Sequence, residues 1–533
     1  MGEKFAANPV TGTGSMSVPI ATSPGRSGFG PQLSLSYDSG AGNGPFGLGW
    51  NLSLPSITRK TDKGLPKYQD AEESDVFILS GAEDLVPEFE KDASGQWVLK
   101  DGKHVIHDKP RTVDGVDYRV RRYRPRIEGL FARIERWTDA KGVSHWRSIS
   151  KDNITTLYGS TDESCIVDPA HPDATRIFTW LICESYDDKG NTISYEYKKE
   201  NSDGIDRSSA HEANRQDFLR TANRYLKRIK YGNRVSRLIQ PDLTKLSWMF
   251  EAVFDYGEHY IENGTTADDQ SQPTTVRIED IGQPEWAVRQ DPFSSYRAGF
   301  EVRTYRLCRR VLMFHHFDEL KEAAYPGGEN YLVRATHFTY GESPVAAFIK
   351  SVTQSGYKRI KGAYKKKSMP PVKFEYSQAI IQEAVHEVDP ASLENLPQGL
   401  DNSRYQWADL DGEGLSGILT EQGGAWFYKR NQSAVPVKDP AGKETTVARF
   451  APLELVATMP SSANLSGGQQ LMDLAGNGQL DVVDFEGPTP GFFERTPDEE
   501  WETHQPFTSL PNIAWRDPIS NSSTSPAMAT PTF

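Results

Sequence analysis

Apolar and polar residues alternate in short runs along most of this 533-residue chain, the period of strands buried on one face. Leu33, Leu35 and Tyr37 interleave with Gln32, Ser34 and Ser36, and DVFILSG at 75–81, IFTWLICESY at 177–186 and ISYEYK at 193–198 repeat the pattern. The run FEVRTYRLCRRVLMF at 300–314 is mixed, with Phe300, Val302, Thr304 and Arg306 on one face and Arg303, Tyr305 and Leu307 on the other. Such a mixture predicts a strand inside a large curved sheet wetted on both sides. Long helical periodicity is scarce, and 44 glycines with 34 prolines supply frequent turns, so the chain is predicted to be mainly β.

The punctuation between these runs is informative. Gly40, Gly42, Gly44, Gly47 and Gly49 follow the first strand, where a β-carbon would obstruct a tight loop, and Phe46 and Trp50 are the aromatics such a loop would bury. The sequence DDKGN at 187–191 predicts a hairpin turn. Residues 200–223 read as an insertion loop with a short helix around Glu212–Leu219, and 258–292 as a surface excursion. A boundary is expected near 357–377, where YKRIKGAYKKK reads as a solvated linker, or else a phosphate- or lipid-binding patch, before SMPPVKFEYS starts a fresh strand. Beyond it, residues 405–431 and 470–495 both run strand, acidic glycine turn, strand, glycine turn, aromatic strand, with Asp409 and Asp473 in equivalent places. This is an internal repeat of blade-like content. The closing SNSSTSPAMATPTF reads as a disordered tail.

Charge and composition then narrow the function classes. A net charge of −13 argues against general nucleic-acid binding. The opening MGEKFAANPVTGTGS lacks an apolar signal core, and no apolar run reaches the ~20 residues of a membrane span. Cys165, Cys183 and Cys308 match no zinc spacing; they are expected to be small buried thiols, with one disulfide as the alternative.

Few residues are placed for chemistry. Asp409, Asp411 and Glu413 stand at the alternate positions of a calcium loop, with Gly417 where a fourth ligand belongs. The second turn offers Asp473, Asn477 and Asp481, with Ala475 in a ligand position. Two readings stay open, weak calcium binding at the first turn or aspartates that cap their own backbone amides. His315 and His316 are adjacent and so point to opposite faces of a strand, as ordinary strand histidines do. No HExxH, GxSxG or Walker loop is present, and the loose G-x-G-x-x-G from Gly42 opens no helix. RVRRYRPRIEGLFARIERW at 119–137 is either a partner-facing strip or two exposed-edge strands with salt-bridged faces.

Taken whole, SVPIATSPGRSGFGPQLSLSYDSGAGNGPFGLGW at 17–50 resembles the start of the SpvB-type N-terminal domain, which opens the B components of insecticidal toxin complexes (Tc toxins) and the SpvB virulence proteins. YDDKGNTISYEY at 186–197 resembles a single YD (RHS-type) repeat, and the two acidic-turn segments resemble FG-GAP/VCBS repeats of integrin-type propellers. The resemblance implies a large, shell-forming SpvB-type β domain over 1–365, a TcB middle/N-terminal propeller-like region over 366–510, and a tail over 511–533. It also implies a non-enzymatic structural subunit that helps to enclose a toxic cargo with a TcC/RHS-type partner and docks on a TcA-type pore-forming subunit. Such a protein would be made in the cytoplasm and secreted by a non-classical route, without a required cofactor.

SpvB proteins also carry an ADP-ribosyltransferase domain, with an S-T-S strand followed by an E-x-E turn. Here Ser523-Thr524-Ser525 has no glutamate after it and Glu88-Phe89-Glu90 lies upstream, so that domain is expected to be absent. Two visible blades are too few to close a propeller, which leaves a fragment, blades from another chain, or a stand-alone relative. The alternatives are a calcium-dependent adhesin-like binder and an SpvB-type virulence module without its transferase domain.

Overall fold

The computed structural model describes residues 4–7, 14–80, 84–127, 129, 131–171, 175–261, 275–276, 286–320, 330–360, 363–376, 388–395, 405–412, 414–433, 435–438, 444–456, 458–460, 463–465, 468–474, 479–496, 498, 500–510, 523–524 and 531–532. Regular structure among them is β, interrupted by short 3-10 turns, with no α-helix. The chain forms two compact units, Met1–Tyr376 and Ser377–Phe533.

The first unit contains a closed eight-stranded antiparallel barrel. Ser56–Arg59, Phe77–Leu79, Asp84–Pro87, Val116–Pro125, Arg133–Asp139, Ser144–Ile149, Thr155–Tyr158 and Ile177–Tyr186 pair in that order. The ring closes because Ile177–Tyr186 pairs back with Ser56–Arg59, Trp180 opposite Ile57. Eight strands leave an interior just wide enough for side chains, and aromatics fill it. Phe77 packs edge-on against Tyr123, Trp146 and Trp180 at 5.9, 5.0 and 5.6 Å. Closure leaves the 119–137 stretch without a free edge, since Val116–Pro125 has neighbours on both sides. The exposed-edge part of that expectation fails because Asp108–Val113 pairs along residues 116–121 and the remote Asp84–Pro87 along 123–125, while the salt-bridged faces are present, as in Arg121 with Asp108 at 2.8 Å and Arg122 with Glu135 at 3.6 Å.

From Ile177–Tyr186 the sheet continues as a meander through Thr192–Lys199, Arg224–Asn233, Trp248–Asp255, Arg310–His315, Tyr331–Glu342 and Ala347–Ile360. Here period 2 buries both faces. Ala252 and Phe254 face one core with Val311 and Met313, whereas Val253 faces another with Leu312 and Phe314. A four-stranded sheet that includes Gly14–Ile20, Leu33–Asp38 and Trp50–Leu52 supplies Val18, Ile20, Leu33 and Leu35 to the first of these cores.

Three local expectations change. The basic tract is no linker: Ala347–Ile360 and Ala363–Ser368 form a hairpin in which Tyr357, Arg359 and Tyr364 are buried and Lys358 and Lys365 exposed. Arg359 stacks 4.8 Å from the Tyr331 ring, so its charge rides on an apolar surface. The first unit accordingly runs past 365, since Val372–Lys373 still pairs with this sheet. Residues 300–314 split into strands Val302–Thr304 and Arg310–His315, joined by a buried irregular segment that includes Tyr305, Arg306, Leu307 and Cys308. The short helix comes later than expected, as a 3-10 turn at Leu219–Ala222. Most of the 258–292 excursion and all of the 511–533 tail except Ser523–Thr524 and Pro531–Thr532 lie outside the described residues.

The second unit holds two four-stranded antiparallel sheets, Tyr405–Ala408 with Gly417–Gln422, Ala425–Lys429 and Glu454–Leu455, and Gln470–Met472 with Asp481–Asp484, Gly491–Phe493 and Gln505–Pro506. Leu419, Trp426 and Val482 belong to one shared core. A closed propeller is not seen among the described residues.

Candidate functional site

The glycine loop over 40–49 is a clasp. Gly47 has φ +87°, and a β-carbon there would stand 2.5 Å from the Ala347 carbonyl oxygen, so only glycine fits. Phe46 packs edge-on against Phe338 at 5.9 Å, and the buried Trp50 donates from Nε1 to the Tyr376 hydroxyl at 2.9 Å. The loop is also held by a charged pair. Arg289 donates to the Gly44 carbonyl and to Asn43 Oδ1, each at 2.8 Å, while Asp291 accepts from Asn43 Nδ2 and the Ala347 N–H at the same distance. Burial alone would raise the Asp291 pKa, but the hydrogen bonds from Arg289, Asn43 and Ala347 hold it below the usual carboxylate range.

A second cluster plugs the barrel. The polar loop between Ser56–Arg59 and Phe77–Leu79 brings Asp70, Glu73 and Asp75 onto two interior arginines. Arg59, 1 % exposed, donates to Asp70 Oδ1 at 2.6 Å, to Asp75 Oδ2 at 2.7 Å and to the Ile177 carbonyl at 2.7 Å. Arg136 reaches Glu73 at 2.7 Å, and Glu73 also takes hydrogen bonds from Arg121 and Tyr123. Both guanidinium groups lie over the Phe77 ring, at 5.2 and 5.0 Å. Desolvation works against the Asp70 carboxylate, yet its pKa is lowered because Arg59 donates to it. Sequence reasoning missed this cluster; the available signal was four acids within six residues, Asp70 to Asp75, just before an apolar strand.

The acidic turns are tied into the second unit. Asp409 accepts from the Gly414 N–H at 2.6 Å. Asp411 pairs with Arg430 at 2.7 Å and with the buried Arg495 at 3.3 Å, so the first repeat's turn is fastened to an arginine of the second. Glu413, Ala475 and Asn477 lie outside the described residues. Asp481 is fully buried and accepts from the Leu474 and Arg495 N–H groups at 2.9 and 3.0 Å. A calcium ion at the first turn would compete with two guanidinium groups for Asp411. The histidine doublet divides as its strand position requires, with His315 Nε2 2.6 Å from Ser23 Oγ and His316 Nε2 3.0 Å from Glu251. All three cysteines are free and buried, and burial pushes the Cys165 thiol up to about 12.

Comparison with known proteins now places the chain. The family model for SpvB, the Salmonella virulence plasmid 65kDa B protein, matches residues 8–317. The chain belongs to the SpvB family. It is 36% identical over 378 residues to the mono(ADP-ribosyl)transferase SpvB of Salmonella typhimurium, a match that covers 67% of this chain and 57% of the relative. It thus spans little more than half the length of the curated relatives it matches. The solved N-terminal domain of the effector SpvB from Salmonella typhimurium matches with TM-score 0.53 and 35% identity, over 64% of this chain and 98% of that one. A Photorhabdus luminescens Tc holotoxin pore, solved with a TccC3 mutation, matches with TM-score 0.73 and 28% identity, over 100% of this chain and 23% of that one. The SpvB-type domain is therefore joined here to a TcB-like region. One expectation is overturned: a non-enzymatic chain was expected, yet its curated relatives carry the name of a mono(ADP-ribosyl)transferase, which points to an enzyme family. Missing catalytic motifs speak only of the catalytic parts, whereas the matched SpvB region is itself part of those transferases.

Proposed function

We propose that this chain is a structural subunit of a Tc-type toxin assembly, in which its sheets form part of the wall around a protein cargo and its second unit contributes blades to a propeller that docks on a pore-forming subunit. The observation that carries the reading is the likeness to the Tc holotoxin pore protein over the full chain, both units included. The fold adds a constraint on how the wall would work. The barrel interior is packed with Phe77, Trp146 and Trp180, so cargo has no place inside it. The enclosing surface would belong to the meander sheet and to the subunits beside it. Closing sheets into barrels or onto neighbours removes free edges that would otherwise pair with an unfolded chain.

The partners implied are a TcC/RHS-type subunit, as TccC3 is present in the matched holotoxin, and a TcA-type pore. The place of action would be extracellular, after synthesis in the cytoplasm. The test is assembly: the purified chain is mixed with a TcA-type pore and with a TcC-type subunit and followed by size-exclusion chromatography and electron microscopy. Co-migration with either partner supports the reading, and failure to associate with both overturns it.

A further inference from the structure

At one end of the barrel the strand termini surround a cavity of about 340 Å³ lined by Tyr118, His145, Cys165, Lys199 and Arg224 among others, near the lower bound of small-molecule sites. Lys199 ends one strand and Arg224 begins the next, and the two stand directly opposite in antiparallel register. Their side chains therefore project from the same face, where like charges repel. Neither forms an ion pair among the described residues. The charges of Asp162 and Glu163 are felt at both cations, but both carboxylates are exposed to solvent, which weakens their effect.

Arg224 is built to present one edge. It is 8 % exposed, and its Nη1 donates to the carbonyls of Thr221, Ala222 and Asn223 at 2.8, 3.1 and 3.1 Å. Three backbone acceptors thus fix the guanidinium plane, while Nε is buried with no hydrogen-bond partner. A buried donor without a partner is costly. Nη2 carries none of these hydrogen bonds and is the part of the fork left to meet an anion. Two carboxylates also line the cavity, Asp139 and the exposed Asp162; Asp139 already accepts from the Lys141 and Val143 N–H groups, which lowers its capacity to repel an incoming anion. Burial pushes the His145 pKa down to about 4, so at neutral pH that ring is an uncharged hydrogen-bonding wall.

We propose that this pocket binds a small oxyanion, a carboxylate or phosphate group held between the guanidinium of Arg224 and the ammonium of Lys199. The ligand relieves the cross-strand repulsion between the two cations.

Calorimetric titration of the full chain with inorganic phosphate and, separately, with acetate tests the site. Saturable binding by phosphate alone assigns a phosphate ligand, by acetate alone a carboxylate, and by both a general oxyanion site. Lys199→Ala alters an exposed side chain and is expected to weaken binding at least about tenfold. Arg224→Lys keeps the charge but loses the fork, and is expected to abolish binding; circular dichroism checks its fold. If Arg224→Lys fails to fold, Lys199→Ala alone decides. No saturable heat with either anion, or undiminished binding in the folded variants, overturns the proposal.

Discussion

The barrel of the first unit and the paired sheets of the second are both antiparallel and both rich in aromatics, yet they are built on opposite principles. The barrel closes only when Ser56–Arg59 meets Ile177–Tyr186, more than a hundred residues later, and its stability sits in an interior with no access to water. The second unit's sheets grow from neighbouring strands, and charged turns fasten them to one another. Closure gathers strands remote in sequence around one large interior, whereas adjacency builds a smaller core around Leu419 and Trp426 and adds charged turns to it. Loss of an interior group of the barrel should therefore cost more than loss of a turn contact in the sheets.

The strongest way to break that contrast is Trp180→Ala. The indole is fully buried and touches both Phe77 and Trp146, and removing such a side chain costs about 3–5 kcal/mol. Hydrogen exchange resolved along the chain should show protection lost over 56–186 and retained over 405–493. Equal loss in both regions would mean that the two units share one cooperative transition.

A matched pair of charge removals sharpens the same contrast. Glu73→Gln leaves Arg136 and Arg121 facing a neutral amide inside the barrel, and breaking a buried pair costs about 3 kcal/mol or more. Asp411→Asn in the second unit disturbs a pair with Arg430, whose side chain is 38% exposed, and a longer 3.3 Å pair with the buried Arg495, where a smaller loss of about 1.5–3 kcal/mol is expected from weakened charged hydrogen bonds. Denaturant midpoints for the two variants give the comparison directly. A larger loss for Asp411→Asn would invert the contrast.

These differences also explain what could be read from the chain. The clasp was legible because Gly47, Phe46 and Trp50 lie within five residues and report on one another locally. The repeat was legible because the first three strands of each sheet are consecutive in the chain. Barrel closure was not, since no local pattern says that residue 57 will face residue 180. The basic tract misled for a different reason. Arg359 counts as polar in any pattern, but its planar group stacks on Tyr331, so an alternating strand looked like a charged linker. The Lys199–Arg224 juxtaposition needs a strand register that no spacing in the sequence supplies.

Acidification distinguishes the regions at a smaller scale. His145 of the barrel has its pKa lowered from 6.5 to about 4 by burial, so the unfolded chain binds a proton there that the folded one does not. Stability from this group is fully present above pH 6.5 and is lost as the pH falls toward 4. Asp70 and Asp291, held low by Arg59 and Arg289, extend the loss further, from about pH 4 downward through their own lowered values. Melting temperature measured against pH should fall through the first window, and His145→Phe should flatten that part of the profile. A profile that His145→Phe leaves unchanged would place the titrating group elsewhere.

The smallest effect is expected at the acidic turn, and it bears on what the turn is for. Calcium takes six to eight oxygens at 2.3–2.6 Å, but the two Asp411 oxygens already face Arg430 and Arg495, and Asp409 already accepts from the Gly414 N–H. Those contacts account for both aspartates as fasteners of the turn. Asp409→Ala should then lower stability by about 1 kcal/mol through the lost acceptor, equally with calcium or with chelator, as read by thermal melting. Calcium added to the unaltered chain should leave the melting temperature where it was. A rise with calcium that Asp409→Ala abolishes would show that the ion displaces the guanidinium groups, and would make the turn a metal site in spite of its arginines.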